Sequence, residues 1–344
     1  MAILSLFFLR LKMQAHTKYL IERSPLYQLS SKSKLFNLLV LENQLLKNPK
    51  HVKELGKFLI EINNASTFKK FVTANNYRVF TDKDSGRTIQ DPKPALKLIH
   101  KKLANLLSHI ITPDYLHSGV KTKSYVTNAT SHKQTPQFAL KMDIHKFYQS
   151  CQKEFIFKAF KYDFKMPDDI AWLMADLVSY NGFIPTGSPV SQLIAFYTYK
   201  RTFDEINLLA KKQDIIFSLY VDDLSFSSTK EIPNNIESLV YQELKKVNLP
   251  IKSKKTKRYS NPKQYKIITG CAISPDGSLK VPNKLRKDII EGYGRLNNQV
   301  LNNAEIKSLN GKIQAARQIE PDIFPKFHPR RTISRWINKT PVTK

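Results

Sequence analysis

The sequence predicts an α+β protein in which a strand-rich centre is flanked by helical parts. Residues 1–70 and the region from Lys284 onward have the pattern of helices. Residues 138–144 alternate apolar and polar side chains as a half-buried strand does. Residues 214–228 form two apolar runs interrupted by two aspartates, which is typical of a hairpin. The order helical, mixed, helical favours an α+β core between helical regions.

The N-terminal third combines helices with one strand pair. Its predicted elements are helices over 35–46 and 55–62, strands over 77–80 and 87–89, and a helix over 95–107. The turn at 82–86 ends in Gly86, and Pro94 stands at the start of the last helix, where proline is well tolerated.

The centre alternates strands and helices before the basic C-terminal part. Its predicted elements are a strand over 138–144, helices over 168–180 and 191–212, the hairpin at 214–228, a helix over 234–247, and a strand pair near 265–273 and 278–281. A loop at 181–189, which contains glycine and proline, joins the two helices.

The charge of the chain indicates a polyanionic partner, of which nucleic acid is the commonest. The 344 residues include 56 Lys and Arg against 28 Asp and Glu, a net charge of +28. From Lys245 to Lys344 there are 23 Lys and Arg against 6 Asp and Glu, so this part alone carries +17. Such a region predicts salt-dependent binding to the phosphate groups of a nucleic acid. A generally solubilising surface is the alternative.

Cysteine usage and the N-terminus indicate a cytoplasmic protein that does not enter a membrane. Cys151 and Cys271 are too few for a disulfide framework or a zinc site and are expected in the core. The apolar stretch Ala2–Leu9 has no positive residues before it and is too short to span a bilayer. We expect it to form the buried face of a first helix.

Three aspartates carry the chemistry that the sequence predicts. Asp222 and Asp223 interrupt the hairpin, and Asp143 closes the strand at 138–144. Ionised carboxylates among apolar strands are costly unless a cation compensates them. Carboxylates with no His or Cys ligand nearby favour magnesium and phosphate chemistry. If the strand packs beside the hairpin, the three carboxylates converge.

The order of these segments resembles the palm motifs of reverse transcriptases. A strand ending at Asp143, the loop Gly182–Pro189 and the turn Tyr220–Asp223 are similar to motifs A, B and C, and Leu249–Thr256 is similar to motif D. The stretch 77–99 resembles the fingers segment of the same enzymes. The resemblance covers roughly residues 75–285. It implies a right-hand polymerase with fingers in 1–135, palm in 136–282 and a basic helical thumb in 283–344.

Two short signatures resemble those of bacterial retron reverse transcriptases. Asn128–His132 matches Asn-Ala-x-x-His, and Ile268–Gly270 is similar to Val-Thr-Gly with Ile in place of Val. Membership of that group implies a structured non-coding RNA (msr-msd) as template and primer, dNTPs as substrates, and a DNA product covalently joined to the RNA. It also implies a separate effector protein and a role in antiphage defence.

The resemblance assigns the catalytic roles residue by residue. Asp143, Asp222 and Asp223 would hold two Mg²⁺ ions, with the backbone carbonyl of Ile144 as a further ligand. Tyr148 would lie against the sugar and exclude a ribose 2′-OH; its alternative is a core aromatic.

Further roles concern the nucleotide and the leaving group. Arg87, with Lys83 and Arg78 as further candidates, would pair with the triphosphate; solvated charges on a hairpin are the alternative for Lys83. Lys255 would protonate the leaving pyrophosphate, or serve as plain phosphate-binding charge.

The loop at 181–189 would support the nascent base pair. Gly187 and Thr186 are its predicted nucleotide-binding residues, since glycine lets backbone approach a nucleotide closely. Reverse transcriptases usually have Gln before that glycine, and Thr186 departs from this pattern. The shorter side chain is expected to loosen contact with template or nucleotide.

RNA binding is assigned to two sets of residues. Asn128 and His132 belong to the first signature, and His132 has the alternative of a structural histidine tying fingers to palm. Arg330 and Arg331 lie in a cluster of aromatic and basic residues near the C-terminus, as a base-stacking surface would.

Two other functions remain open from the sequence. One is another bacterial reverse transcriptase, either intron-encoded or defence-associated. The other is a non-catalytic RNA-binding protein on a polymerase fold, which the presence of all three carboxylates disfavours.

Overall fold

A four-stranded antiparallel sheet lies at the centre of the computed structural model, with helices packed against it. The structure describes residues 18–41, 76–83, 85–135, 137–298, 301–325 and 327. The predicted helix at 55–62 lies outside these residues, as do the predicted first helix near the N-terminus and all but the start of the helix at 35–46.

The helices, in chain order, are α1 Lys32–Phe36, α2 Pro94–Ser108, α3 Tyr125–Thr130, α4 Phe147–Ser150, α5 Lys153–Lys158, α6 Asp168–Val178, α7 Ser191–Lys211, α8 Asn235–Lys245, α9 Asn283–Asn297 and α10 Asn303–Ile319. A π-helical turn directly follows α1 at Asn37–Leu41 and another follows α5 at Ala159–Asp163. Short 3-10 turns lie at Ile21–Arg23 and Ser253–Lys255.

The strands form three separate sheets. They are β1 Tyr77–Thr81, β2 Thr88–Pro92, β3 Phe138–Asp143, β4 Ile216–Tyr220, β5 Asp223–Ser228, β6 Lys257–Tyr259, β7 Lys266–Ile268, β8 Cys271–Ile273 and β9 Leu279–Lys280. β1 pairs with β2, the central sheet has the order β4-β5-β3-β6, and β7-β8-β9 form the third sheet. The predicted α+β class is confirmed.

The central sheet positions the strand-end carboxylates. β3 pairs antiparallel with β5 and with β6, so it lies inside the sheet. Its residues Leu140 and Met142 are almost fully buried in the main apolar core, beneath helices that include α6 and α7. Leu140 and Met142 lie on one face of β3, which makes its register well defined, because a one-residue slip would turn these apolar side chains to the other face.

A second apolar core joins the third sheet to the C-terminal helices. It contains Ile268 and Ile273 from the sheet together with Ile289 of α9 and Ile313 of α10. The boundary predicted between residues 282 and 283 falls within this core. The division into fingers, palm and thumb stays a prediction.

Most predicted elements occur within a few residues of their expected bounds, and the differences have local causes. The stretch at 265–273 is itself a hairpin, β7–β8, because Thr269 and Gly270 adopt positive φ values of 43° and 80° and reverse the chain. α3 was not predicted because its sequence lacks an apolar period; a capping box between Ser124 and Thr127 begins it instead.

Candidate active site

The register of the central sheet brings the three predicted carboxylates together. Asp143, the last residue of β3, is paired directly with Asp223, the first residue of β5. Asp222 lies next to Asp223 in the turn between β4 and β5, and its carbonyl accepts a hydrogen bond of 2.9 Å from the Ile144 amide. Asp143 is only 7% exposed. The hairpin tip is thus bonded to the strand that carries Asp143, which fixes the three residues relative to one another.

The turn that carries Asp222 has a strained backbone. Val221 has a φ of 58°, a left-handed conformation that β-branched residues rarely adopt. A two-residue hairpin turn requires positive φ at one or both central residues, so the tight connection imposes this conformation. The Val221 amide donates to the Ser118 hydroxyl at 3.0 Å. Ser118 therefore helps to hold the tip, and no pattern in the sequence predicts its contribution.

Negative charge is unfavourable on the two carboxylates at the hairpin tip. Burial raises the pKa of Asp222 above its ordinary value, and repulsion from Asp223 and Asp143 raises it further. Burial also raises the pKa of Asp223, an effect that nearby Lys141 opposes. Both shifts show that the folded chain disfavours the charged forms, which is the electrostatic condition that a bound cation relieves.

Lys255 makes a direct ion pair within this cluster. Its ammonium lies 2.7 Å from Asp143 Oδ2, and this hydrogen bond raises the pKa of Lys255. The backbone supports the contact, since the Lys252 amide donates to the Asp143 carbonyl at 2.8 Å. The predicted proton donor and the predicted metal ligand are therefore neighbours.

The residues present fit a divalent cation. All the side-chain donors are carboxylate oxygens, the ligand type that Mg²⁺ prefers. Two of them, Asp222 and Asp223, have pKa values raised mainly by burial, with repulsion from neighbouring carboxylates adding to the effect. Within the described ranges, no three His, Cys, Asp or Glu side chains are arranged so that together they could hold a metal ion. The Asp143 carboxylate pairs instead with the Lys255 ammonium.

Tyr148 lies beside the carboxylates, partly buried. Its carbonyl accepts from the Ile184 amide at 3.2 Å, and its ring centroid is 5.7 Å from that of Phe147. Burial raises its pKa, and the charge of Asp222 adds to that effect. The ring therefore lies close to Asp222, and its contact with a sugar stays a prediction.

The predicted triphosphate ligands lie on the β1–β2 hairpin. Arg87 and Lys83 are exposed, and neither forms an ion pair with any residue that the structure describes. Arg78 instead lies 3.4 Å from Asp91 on the neighbouring strand. Arg87 and Lys83 are therefore available for an anion, and Arg78 is already partnered.

The loop before α7 lies against this hairpin. A Cβ atom added to Gly187 would lie 2.7 Å from the Gln90 carbonyl, so only glycine fits there. His100 of α2 bonds through Nδ1 to the Ser188 hydroxyl at 2.6 Å and through Nε2 to the Leu177 carbonyl at 2.7 Å. Neither Gln90 nor His100 was found by sequence reasoning, because their partners are far away in the chain.

Of the four residues assigned to RNA binding, two are buried in the structure and two lie outside its described part. Asn128 and His132 are both 0% exposed. His132 bonds to the hydroxyls of Ser227 at 2.7 Å and Ser218 at 2.6 Å, which favours its structural alternative. Arg330 and Arg331 lie outside the described residues.

The antiparallel sheet with its three strand-end carboxylates is the palm of a polymerase-type α+β fold. Residues 73–273 match the family described as reverse transcriptase (RNA-dependent DNA polymerase). Because the match covers more than half of the chain, this protein belongs to the reverse transcriptase family.

Curated relatives confirm the resemblance to retron enzymes. The chain is 28% identical over 186 residues to the Retron Se72 reverse transcriptase of Salmonella heidelberg (strain 579083-10), covering 52% of this chain and 49% of that protein. It is 25% identical over 261 residues to the Retron Ec83 reverse transcriptase of Escherichia coli, covering 71% of this chain and 82% of that protein. The alignment thus spans about half the length of the Se72 protein.

Among solved structures, the chain is similar to telomerases. The apo telomerase from Candida tropicalis truncated from its C-terminal domain has a TM-score of 0.43 and 11% identity, with 62% of this chain and 55% of that chain covered.

Within the part of the chain that the structure describes, no helix has both the length and the apolar character needed to cross a membrane.

Proposed function

We propose that this protein is the RNA-directed DNA polymerase of a retron. It copies part of a structured non-coding RNA (msr-msd) into single-stranded DNA that stays covalently joined to the RNA. The observation that carries the proposal is the pairing of Asp143 with Asp223, next to Asp222 in the adjoining hairpin turn. Relatives named as retron reverse transcriptases support the choice of this group.

Asp143, Asp222 and Asp223 are the residues that would hold two Mg²⁺ ions, with Ile144 as a backbone ligand. When bound, such ions lower the pKa of an attacking hydroxyl and stabilise the leaving oxygen of pyrophosphate. The protein contributes a buried, negatively charged tip whose position Ser118 and the Ile144 amide maintain.

The remaining side chains bind and orient the nucleotide. Arg87 and Lys83, exposed on the β1–β2 hairpin, bind the triphosphate. Tyr148 lies beside the carboxylates and excludes a ribose 2′-OH. Lys255 keeps its proton, because its hydrogen bond to Asp143 raises its pKa, and donates it to the leaving pyrophosphate.

The RNA partner is bound by the basic C-terminal part. The net charge of +17 from Lys245 to Lys344 supports a structured RNA recognised by shape and phosphate contacts. Arg330 and Arg331 belong to this region. The proposed biological role is antiphage defence in the cytoplasm, together with a separate effector protein.

Primer extension on an RNA template with Mg²⁺ and dNTPs tests the enzymatic part. We expect the wild-type protein to extend the primer and D222A to lose at least about a thousandfold in rate, since several kcal/mol of metal-based stabilisation is removed. RNA affinity of D222A, measured by gel shift, should change little. D276A, at an exposed position in the turn between β8 and β9, is the matched control and should retain activity. Equal loss of RNA binding and synthesis in D222A would contradict the assignment of the hairpin.

The retron part is tested by sequencing the nucleic acid that co-purifies with the protein. We expect one structured RNA with DNA branched from an internal guanosine, and sensitivity of the joint to debranching enzyme. Recovery of diverse unbranched RNA from a protein that nevertheless extends primers would favour another bacterial reverse transcriptase.

A further inference from the structure

The loop between α6 and α7 lies directly on strand β2 of the fingers hairpin. The Gly187 amide donates to the Gln90 carbonyl at 3.2 Å, and a Cβ atom at Gly187 would come within 2.8 Å of the Ile89 side chain. No space therefore separates the two backbones. Any movement of the hairpin at Gln90 displaces the loop as well.

The Gln90 side chain makes a second contact with the same loop. Its Oε1 accepts hydrogen bonds from the Thr186 amide at 3.0 Å and from the Thr186 hydroxyl at 2.9 Å. A backbone amide can only donate, so the side-chain oxygen and not the nitrogen must face the loop. The Thr186 hydroxyl also lies 2.9 Å from the Thr88 carbonyl and shares its single proton between the two acceptors.

The burial pattern of β2 indicates that this contact is the role of Gln90. Gln90 is 5% exposed, whereas its apolar neighbour Ile89 is only half-buried. An alternating strand normally buries the apolar residue. A buried amide is tolerated only when it is hydrogen-bonded, and here the partner is Thr186.

The position of Gln90 connects two parts of the proposed nucleotide site. Arg87, the predicted triphosphate ligand, comes three residues before it, immediately before β2. Thr186 and Gly187 lie in the loop expected under the nascent base pair. Thr186 stands where reverse transcriptases usually have glutamine, and its hydroxyl bonds to the side chain of Gln90.

We propose that Gln90 is a positioning residue for the incoming deoxynucleotide. It joins the hairpin that carries Arg87 to the loop Thr186–Gly187, so that the triphosphate side and the base side of the site keep a fixed separation. This inference rests on the polymerase function proposed above.

The test is steady-state single-nucleotide incorporation by the full-length protein on an RNA template. Q90L keeps a similar volume but cannot accept from Thr186. We expect it to raise KM for the correct dNTP about tenfold, the factor that corresponds to one lost hydrogen bond, with kcat within about twofold of wild type. T186V, which removes only the hydroxyl, should raise KM by a smaller factor. The double variant should raise KM by less than the product of the two single effects, because both changes remove the bond between Gln90 and the Thr186 hydroxyl.

Y77F is the matched control. The Tyr77 hydroxyl donates to the Ser179 carbonyl at 3.4 Å, so it also ties the hairpin to the palm helices, but not at the loop. Y77F should lower the melting temperature without changing KM for dNTP. An unchanged KM in Q90L, an equal rise of KM in Y77F, or multiplicative effects of Q90L and T186V would each overturn the proposal. If Q90L fails to fold, T186V is compared with Y77F instead. A rise of KM for dNTP in T186V but not in Y77F would support the proposal, and no difference in KM between them would overturn it. A wild-type protein that extends no primer refutes the polymerase function instead.

Discussion

The Asn128 side-chain amide donates a hydrogen bond of 3.2 Å to the hydroxyl of Thr269, which lies 141 positions further along the chain. The same hydroxyl donates to the Tyr125 carbonyl at 3.0 Å. Thr269 has a φ of 43°, which is unfavourable for a β-branched residue, so the bonds to α3 help to maintain the β7–β8 turn. The two short signatures that resemble retron enzymes, Asn128–His132 and Ile268–Gly270, are thus hydrogen-bonded to each other and form one joint in the structure.

Helix α3 connects this joint to both neighbouring parts of the protein. The Tyr125 hydroxyl donates to the Ala315 carbonyl of α10 at 3.2 Å. Two residues after the helix, His132 bonds to Ser218 of β4 and Ser227 of β5. A short helix therefore links the central sheet, which carries the carboxylates, to the C-terminal helices.

Loss of the Asn128 bond is expected to destabilise the fold. N128A should lower the free energy of unfolding by about 1 kcal/mol, because a buried hydrogen bond is lost. The loss is limited because the substitution also removes Asn128 Oδ1, which has no partner among the described residues. N128D should cost more, since it buries a charge. Denaturant unfolding measures both. T130A, at an exposed position on the same helix, is the control and should stay within about 0.5 kcal/mol of wild type. N128D as stable as N128A would contradict the buried position.

Neutralising Asp222 is expected to stabilise the protein when no metal is present. Its pKa is raised, so its charge destabilises the folded state above that pKa, and this effect disappears as pH falls and the carboxyl takes up a proton. D222N should therefore raise the melting temperature in EDTA at pH 7.5, with a smaller gain near pH 4. Added Mg²⁺ should stabilise wild type more than D222N.

Neutralising Asp276 provides a control in which the melting temperature is expected to change in the opposite direction. Hydrogen bonds from Ser274 and Ser278 lower its pKa to about 2, so its charge stabilises the turn at pH 7.5. D276N should lower the melting temperature slightly under the same conditions. A fall in melting temperature for both variants would mean that the Asp222 charge is already compensated without metal.

Buried histidines are expected to make the protein sensitive to acid. Burial lowers the pKa of His132 to about 3 and that of His100 to about 4, so both stay neutral in the folded chain. The unfolded chain binds protons below a pH of about 6.5, so stability falls as pH drops below that value, by up to about 1.4 kcal/mol per pH unit for each histidine. Denaturation midpoints between pH 7.5 and 5 measure the slope. H132Q should have a shallower slope than wild type, whatever its stability at pH 7.5; parallel slopes would show that His132 does not contribute.

Tyr148 is expected to discriminate against ribonucleotides. Y148A should increase incorporation of ribonucleotides relative to deoxynucleotides, because the ring beside Asp222 no longer excludes a 2′-OH. Y148F keeps the ring and should keep the discrimination of wild type. Competition between rNTP and dNTP in single-nucleotide extension gives the ratio. The same ratio in Y148A and wild type would identify Tyr148 as a packing residue only.

Much of the site was predictable because its signals are local. Asp222 and Asp223 are adjacent to each other and flanked by apolar runs, and Asp143 ends an alternating strand. The structure adds that Asp143 and Asp223 share one register position. The sequence allowed this pairing but did not require it, since register depends on which faces of the strands are buried.

Other residues could be assigned only from contacts between distant segments. Asn128 and His132 were predicted to bind RNA, and both are fully buried in the structure. Gln90 was not singled out, because a polar residue in a short strand is normally expected to face solvent. Its partner Thr186 is 96 positions away.

The sequence by itself determined most of the described helices and strands and their order, the three carboxylates and the strongly basic C-terminal part. These follow from residue spacing and charge, which act over a few neighbouring positions. Only the tertiary structure decided that Lys255 pairs with Asp143, that Asn128 supports Thr269, and that Gln90 supports Thr186. The contacts of Asn128 and Gln90 depend on burial, which removes competing water and makes an unpaired polar group costly, and burial is a property of the whole fold. The Lys255 side chain is half-exposed, and its pairing depends on the fold bringing it beside the end of β3.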